Sequence, residues 1–351
     1  MASFKISAPS RIVLAGEHLA SYQKYFVLTS LNRRTKLTFR ELPEGWPIEI
    51  EFPDVNLQIQ VPLEEVRGYF SEEQNNQLNQ NFRIKYVKSF ITFNGLWRTF
   101  QQRFSLQMFF CLLYSIAVNE KLVIGSFHVH VTSNIPLDAG LGSSTSFAVC
   151  LAACFLHWYR LQNEPHANIE FNHIDFLIDV ELYVKYYEER LQDYQCTQID
   201  TDVCVFGFVT ISLLADYGEY AFEKCKEMAR MKILLINSVY NWLDVISTNI
   251  RYANLVEQKL YYNNLQLYIR DIQILLRNYG LSNEAFDRIF TIADDIEYSA
   301  KLTGFGPKYA YIVLPPYITN NEIIEIATQL RNKNCLVIST SINCDGVRLE
   351  N

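Results

Sequence analysis

SNIPLDAGLGSSTSFAVCLAAC, residues 133–154, joins a glycine-serine turn directly to a long apolar helical run. Gly140 and Gly142 let the backbone take dihedrals that a Cβ would forbid. Ser143, Ser144 and Thr145 are expected to cap a helix that Phe147, Ala148, Val149, Leu151, Ala152 and Phe155 continue. The first-turn N–H groups and the helix dipole then favour an anion in the loop. Read locally, the same residues also fit an ordinary capped helix after a tight turn. No Lys follows the second glycine, so the loop is not a Walker A sequence.

Working outward, residues Leu122–Ser133 alternate Phe127, Val129 and Val131 with His128, His130 and Thr132, a period-two strand leading straight into the loop. His128 and His130 share a face of that strand, but no third metal ligand is evident in the sequence. Further upstream, Ile12–Ala15, Phe26–Leu31 and Thr35–Glu41 read as short strands. Ile48–Phe52 and Leu57–Val61 read as a hairpin around Pro53-Asp54. Arg83–Phe93 and Leu96–Val118 carry helical spacing. Downstream, Ile174–Gln192 reads as an amphipathic helix and Val203–Leu214 as a strand. Beyond these come a strand at Ile233–Ile236, helices at Trp242–Tyr279 and Ser282–Thr303, a strand at Tyr309–Leu314, a helix at Asn320–Asn332, and strands at Cys335–Ser341 and Gly346–Glu350.

The 351 residues exceed what one hydrophobic core usually supports. Two domains are expected, 1–225 and 226–351, divided within the charged stretch Glu219–Lys232. A net charge of −7 argues against a nucleic-acid or membrane-surface binder. The opening residues MASFKISAPSRIVL lack the pattern of a secretory signal, and no apolar run is long enough to span a bilayer, so a cytoplasmic protein is expected. The eight cysteines are scattered with no CxxC pair, as in a protein whose thiols stay reduced.

Three segments together point to a family. PLDAGLGSST, residues 136–145, resembles the second signature of the GHMP kinases, the superfamily of galactokinase, homoserine, mevalonate and phosphomevalonate kinases. SAPSRIVLAGEH, residues 7–18, resembles the first signature, and KLTGFG, residues 301–306, resembles the start of the third. The resemblance implies an α+β, two-domain GHMP kinase fold. Its N-terminal domain would be ribosomal-protein-S5-domain-2-like and its C-terminal domain a ferredoxin-like α/β sandwich.

Among these families the chain is most similar to mevalonate kinases. That likeness implies ATP-dependent phosphorylation of mevalonate to 5-phosphomevalonate, a step of isoprenoid biosynthesis, with ATP and Mg²⁺ as the other reactants. ATP binding would fall to Pro136, Gly140, Leu141, Gly142, Ser143, Ser144 and Thr145. Ser144 and Glu189 would hold Mg²⁺, which keeps several waters and takes only one or two protein oxygens. Read without the resemblance, Glu189 in Glu188-Glu189-Arg190 is a solvated helix-face charge. Asp200 would accept the hydroxyl proton, with Asp202 as its rival; a nearby cation, Arg11, would favour the charged carboxylate. Glu17 and His18 would contact the acceptor. The resemblance implies small-molecule partners, mevalonate and ATP, and leaves a homodimer open.

The chain also departs from the family pattern. Ser10 and Arg11 stand where the family has Gly and Lys, and Phe305, Pro307, Lys308 and Tyr309 interrupt the glycines of the third signature. Arg presents a planar fork that Lys lacks. Leu19-Ala20-Ser21-Tyr22 replaces the acidic sugar-binding continuation of galactokinases, which argues against a sugar acceptor. Two alternatives stay open: another GHMP small-molecule kinase, acting on phosphomevalonate or homoserine, and a catalytically silent GHMP-fold binding protein.

Overall fold

The computed structural model describes residues 1–15, 25–71, 80–137, 139–163, 171–191, 198–214, 220–225, 231–237, 255–278, 282, 284–303 and 309–350. The chain begins with two long strands, β1 (Ser3–Ala15) and β2 (Tyr25–Glu41), followed by the hairpin β3 (Ile48–Phe52) and β4 (Leu57–Val61). Helices α1 (Leu63–Ser71), α2 (Gln80–Phe93) and α3 (Phe100–Glu120) lead to β5 (Phe127–Ser133). Helices α4 (Ser143–Asn163), α5 (Ile174–Leu191) and α6 (Gln198–Phe206) precede β6 (Val209–Leu214) and β7 (Tyr220–Cys225). The C-terminal third runs β8 (Lys232–Asn237), α7 (Leu255–Asn278), α8 (Glu284–Asp295), β9 (Ala300–Leu302), β10 (Tyr309–Val313), α9 (Asn320–Asn332), β11 (Leu336–Ser341) and β12 (Arg348–Glu350).

These strands form two sheets. The first has eight strands in the order β12-β1-β2-β5-β3-β4, with β6 on β2 and β7 on β6. The second has four, β11-β8-β10-β9, all antiparallel. The period-two reading of residues 127–133 holds, with Phe127, Val129 and Val131 buried. Phe39, Phe127, Phe109, Phe155 and Trp158 pack ring on ring between this sheet and helices α3 and α4. In the second sheet, Ile233, Leu235, Tyr309, Tyr311 and Val313 face one core, while Leu234, Ala310 and Ile312 face another. Burial on both faces explains why KILLIN and YAYIV are nearly continuous apolar runs instead of alternating ones.

Several boundaries differ from those expected. Ile12–Ala15 belongs to a strand that begins at Ser3, and the pieces around Asn32–Arg34 form one strand. There the pairing steps from Pro9↔Arg34 to Ser10↔Leu31, leaving Asn32 and Arg33 as a bulge that reads in sequence as a break. Val203–Phe206 is helical, because Val203, Cys204 and Val205 are buried and α6 packs against α4, α5 and β1; tertiary packing overrides β-branched preference. Ala300–Leu302, expected at the end of a helix, is the edge strand β9, since α8 stops at Asp295 and Glu297 takes a left-handed φ. Of the stretch Trp242–Tyr279, residues 255–278 are helical and 242–254 lie outside the described residues. No helix among the described residues is long and apolar enough to cross a membrane. The thiols of Cys111, Cys150, Cys154, Cys204, Cys335 and Cys344 are buried and free of disulfides.

The last strand, β12, does not stay with the second sheet. It pairs antiparallel with β1, and the segment before it closes over the end of α6. Val347 N–H donates to the Val205 carbonyl at 3.0 Å and Phe208 N–H to the Cys344 carbonyl at 3.0 Å. Arg34 seals the junction, donating to the Ser7 hydroxyl and to the carbonyls of Ser7, Asp345 and Gly346. At the crossing a Cβ on Gly346 would lie 2.1 Å from the Val205 carbonyl oxygen, so only glycine fits.

Gly346→Ala is therefore expected to cost about 3 kcal/mol or more of stability. In contrast Gly68→Ala, in the interior of α1 with open space around it, is expected to gain about 0.5–1 kcal/mol. Urea unfolding midpoints of the two variants test the pair, which should move in opposite directions.

Candidate functional site

The loop before α4 is held from below by β1. Arg11 N–H donates to the Leu141 carbonyl at 3.0 Å, and the Arg11 side chain donates through Nη1 to the Gly140 carbonyl at 2.5 Å. Gly140 and Gly142 take φ of +66° and +73°, the left-handed region that the sequence reading assigned to them. A Cβ on Gly142 would also meet Arg11 Cγ at 3.0 Å, so the glycine is needed both for backbone geometry and for the close approach of Arg11. The Gly142 carbonyl accepts the first helical bond, from Ser146 N–H at 3.0 Å, which makes Gly142 the N-cap. Ser143, Ser144 and Thr145, expected to cap the helix, are instead its first turn. Their amide positions are the ones an α-helix leaves without a carbonyl four residues back. Ser146 anchors the turn by donating to the Ala8 carbonyl at 2.8 Å.

The helix end abuts a cavity of about 290 Å³. Ser143 and Ser144 line it on the loop side, Phe52, Phe104, Val131 and Phe147 supply apolar walls, and Leu191 at the end of α5 completes it. Such a volume, mostly apolar with a few polar groups at one end, suits a flat heterocycle whose charged tail leaves toward the helix N-terminus.

On the other side of the loop stands Asp200. Arg11 Nη2 lies 2.5 Å from Asp200 Oδ2, and both side chains are less than a tenth exposed. One guanidinium thus binds the Gly140 carbonyl of the loop and the carboxylate together. The planar guanidinium reaches the two acceptors through its two terminal nitrogens. Asp202, the rival of Asp200, turns away to Lys185 on α5, 3.0 Å from its Nζ.

Of the two adjacent glutamates, Glu188 is buried and accepts from the Thr201 hydroxyl at 3.3 Å. Glu189 is exposed, with Arg190 Nη1 3.4 Å from its carboxylate. An exposed pair of this kind contributes at most about 1 kcal/mol, so it leaves the Glu189 carboxylate able to exchange partners. The burial of Glu188 had a sequence signal: it continues the Val180, Val184 stripe at helical spacing. Pro136 is half-buried at the loop entrance. Glu17 and His18 lie outside the described residues, as do Phe305, Pro307 and Lys308 of the third signature.

The described part of that signature reaches the loop. Thr303 donates through its hydroxyl to the Tyr309 carbonyl at 3.0 Å, and its Oγ1 lies 3.5 Å from the Ala139 carbonyl oxygen. Two features escaped the sequence reading. Lys301 is fully buried, its ammonium 5.4 Å from the Tyr311 ring centre and donating to the Leu302 carbonyl. Glu51 faces both His128 and His130, with N···O separations of 3.6 and 3.8 Å. Among the described residues no group of three or more His, Cys, Asp or Glu side chains is arranged to hold a metal ion.

Comparison with known proteins finds a family model that matches part of the chain. Residues 108–174 match the GHMP kinases N terminal domain. Mevalonate kinase of Candida albicans is 27% identical over 216 residues, which cover 58% of this chain and about half (49%) of that protein. Mevalonate kinase of Dictyostelium discoideum is 22% identical over 86% of this chain and 85% of its own. The crystal structure of Methanococcus jannaschii mevalonate kinase superposes over 100% of this chain and 99% of its own with a TM-score of 0.65 at 15% identity, a likeness of fold.

Replacing Gly142 by Ala tests the loop geometry. The left-handed φ and the contact with Arg11 together are expected to cost about 1–3 kcal/mol, read as a fall in thermal midpoint of several degrees. Nucleotide affinity, measured by calorimetry on the folded variant, should fall with it.

Proposed function

We propose that this chain, a member of the GHMP kinase superfamily, transfers the γ-phosphoryl group of ATP to the primary hydroxyl of mevalonate, giving 5-phosphomevalonate. The observation that carries the reading is the reach of Arg11, which ties the Asp200 carboxylate to the loop at the N-terminus of α4. Phosphoryl transfer asks mainly for positioning and for charge stabilisation around the moving group. The cavity beside Phe104 and Phe147 accommodates the base of ATP, and the first-turn amides of α4 receive its phosphates.

The donor set fits Mg²⁺. Ser144 offers a hydroxyl at the helix end, Glu189 offers an exposed carboxylate beside Arg190, and Leu191, two residues on, lines the same cavity as Ser144. Hard oxygen donors in this number suit an ion that retains most of its waters. When bound, it neutralises charge on the triphosphate. Asp200 orients the acceptor hydroxyl and takes its proton at a carboxylate oxygen. Arg11 keeps that carboxylate beside the loop and supplies positive charge near the transferred group. The relatives named mevalonate kinase favour mevalonate over other small hydroxylated anions as acceptor. ATP, Mg²⁺ and a small-molecule acceptor account for the described groups without a nucleic-acid or membrane partner. A cytoplasmic setting accords with the free buried thiols.

Purified protein assayed with Mg-ATP against mevalonate, phosphomevalonate, homoserine and galactose should turn over mevalonate fastest; turnover of none of them would sink the reading. Asp200→Asn is expected to lower kcat by about 10²–10⁴-fold with little change in ATP affinity. Arg11→Met leaves Asp200 buried without its partner, a loss of about 3–5 kcal/mol that calls for a parallel unfolding measurement. Arg11→Lys keeps the charge but loses the planar fork, so it should retain part of the activity.

Glu189→Gln should raise the Mg²⁺ concentration needed for half-maximal rate. A magnesium dependence equal to that of the parent protein would leave Glu189 a surface charge.

A further inference from the structure

A second buried group of ionisable side chains joins α5 to α6. Asp202 is 5% exposed at its side chain, and both its oxygens are shut off from solvent. Lys185 Nζ lies 3.0 Å from Asp202 Oδ1 and also pairs with Glu181, one helical turn back on α5. Lys185 and Glu181 are themselves less than a fifth exposed. Two carboxyl groups and one ammonium in such a place have one negative charge too many. Burial, then the neighbouring Glu181, pushes the Asp202 carboxyl up to about 8 against the pull of Lys185. Below that pH the cluster keeps an extra proton and is neutral overall.

Its location gives the cluster consequences. Helix α6 has only nine residues and carries both aspartates. Two residues correspond to about 200° around a helix, so Asp200 and Asp202 point to opposite sides. Asp200 meets Arg11 of β1, and Asp202 meets Lys185 of α5. Between them Thr201 donates to Glu188 of α5. The other titratable groups around the helix, Arg11, Glu188 and the Cys150 thiol of α4, surround Asp200 and Cys204, whereas the charged neighbours of Asp202 are Glu181 and Lys185. The same α5 ends at Leu191 on the cavity wall. The contact of α6 with α5 therefore joins the helix that bears Asp200 to the helix that reaches the cavity wall.

We propose that Asp202, Lys185 and Glu181 form a proton-sharing cluster that fixes α6 against α5 and so positions the Asp200 carboxylate for phosphoryl transfer. This inference rests on the kinase reading above. The three residues are positioning residues, acting through the helix and not on the substrate. Loss of the extra proton leaves two carboxylates around one ammonium, and their repulsion loosens the contact of the helices. Positioning then weakens as the pH rises through about 8. The sign for stability agrees. The folded chain keeps a proton that the unfolded chain releases near pH 4, so Asp202 costs stability increasingly from about pH 4 to about pH 8, and constantly above.

Kinetics and carbon NMR on the full chain test the proposal. Lys185→Met, which leaves two carboxyl groups without their cation, should lower kcat at least about tenfold while the KM for ATP changes less than about twofold, and Lys185→Arg should restore most of the rate. Asp202→Asn should move the alkaline limb of kcat to higher pH. The Asp202 carboxyl carbon resonance, identified by its loss in that variant, should titrate near pH 8 in the parent protein. A parent protein that phosphorylates mevalonate, with Lys185→Met as fast as the parent and Asp202→Asn unchanged in pH profile, overturns the inference and leaves the kinase reading standing. Should Lys185→Met not fold, the Asp202→Asn profile decides. A parent inactive on every acceptor removes the kinase reading and the positioning role with it, and a carboxyl resonance titrating below pH 5 then refutes the shared proton separately.

Discussion

The site depends on one buried cation. Arg11 is withdrawn from water together with Asp200, an arrangement whose desolvation cost is repaid only if the remaining polar atoms find partners. Partners come from the glycine loop before α4: the Gly140 carbonyl accepts from Nη1, and the Leu141 carbonyl accepts from the Arg11 backbone. Ion pair and loop therefore stabilise each other. A larger residue at 142 does not preserve both, because a Cβ there would meet the Arg11 stem at 3.0 Å.

The loop is also part of a hydrophobic core. Ala139 and Leu141 are buried with Ile12, Leu14 and Leu31 of the first sheet and with Ile233, Leu235, Tyr311 and Val313 of the second. Closing the two sheets on the same residues that carry the glycines gives the loop a rigid base. Preorganised amides contribute most when they need not reorganise around an arriving charge. Thr303, within the third signature, reaches the Ala139 carbonyl from the end of the second sheet's β9, so both halves of the chain meet at this turn.

Helix α6 is likewise held from several directions. Its first turn carries Asp200 against β1, its middle meets α5 through Thr201 and Asp202, and its end is covered by the chain returning to the first sheet. The expected division at 225/226 meets a chain whose last strand, β12, pairs with its first. Residues near position 346 thereby support the helix that bears Asp200, although they lie far from it in sequence.

Much of this was legible in the sequence. The glycine-serine turn before an apolar helix, the alternation of residues 127–133 and the three ordered signatures pointed to the fold and to the loop, since backbone conformation and periodicity are local properties. The burial of Glu188 beside an exposed Glu189 was readable from the same helical spacing. The family resemblance favoured Asp200 over its rival Asp202, but the local sequence does not show what faces either carboxylate. What each one faces belongs to packing: β1 brings Arg11 to one side of α6, and α5 brings Lys185 to the other. Tertiary structure likewise decided that Val203–Phe206 is helix, that Gly142 caps α4 in place of the serines, and that the chain end closes on its beginning. Each of these depends on partners more than a helical turn away, which no local pattern encodes.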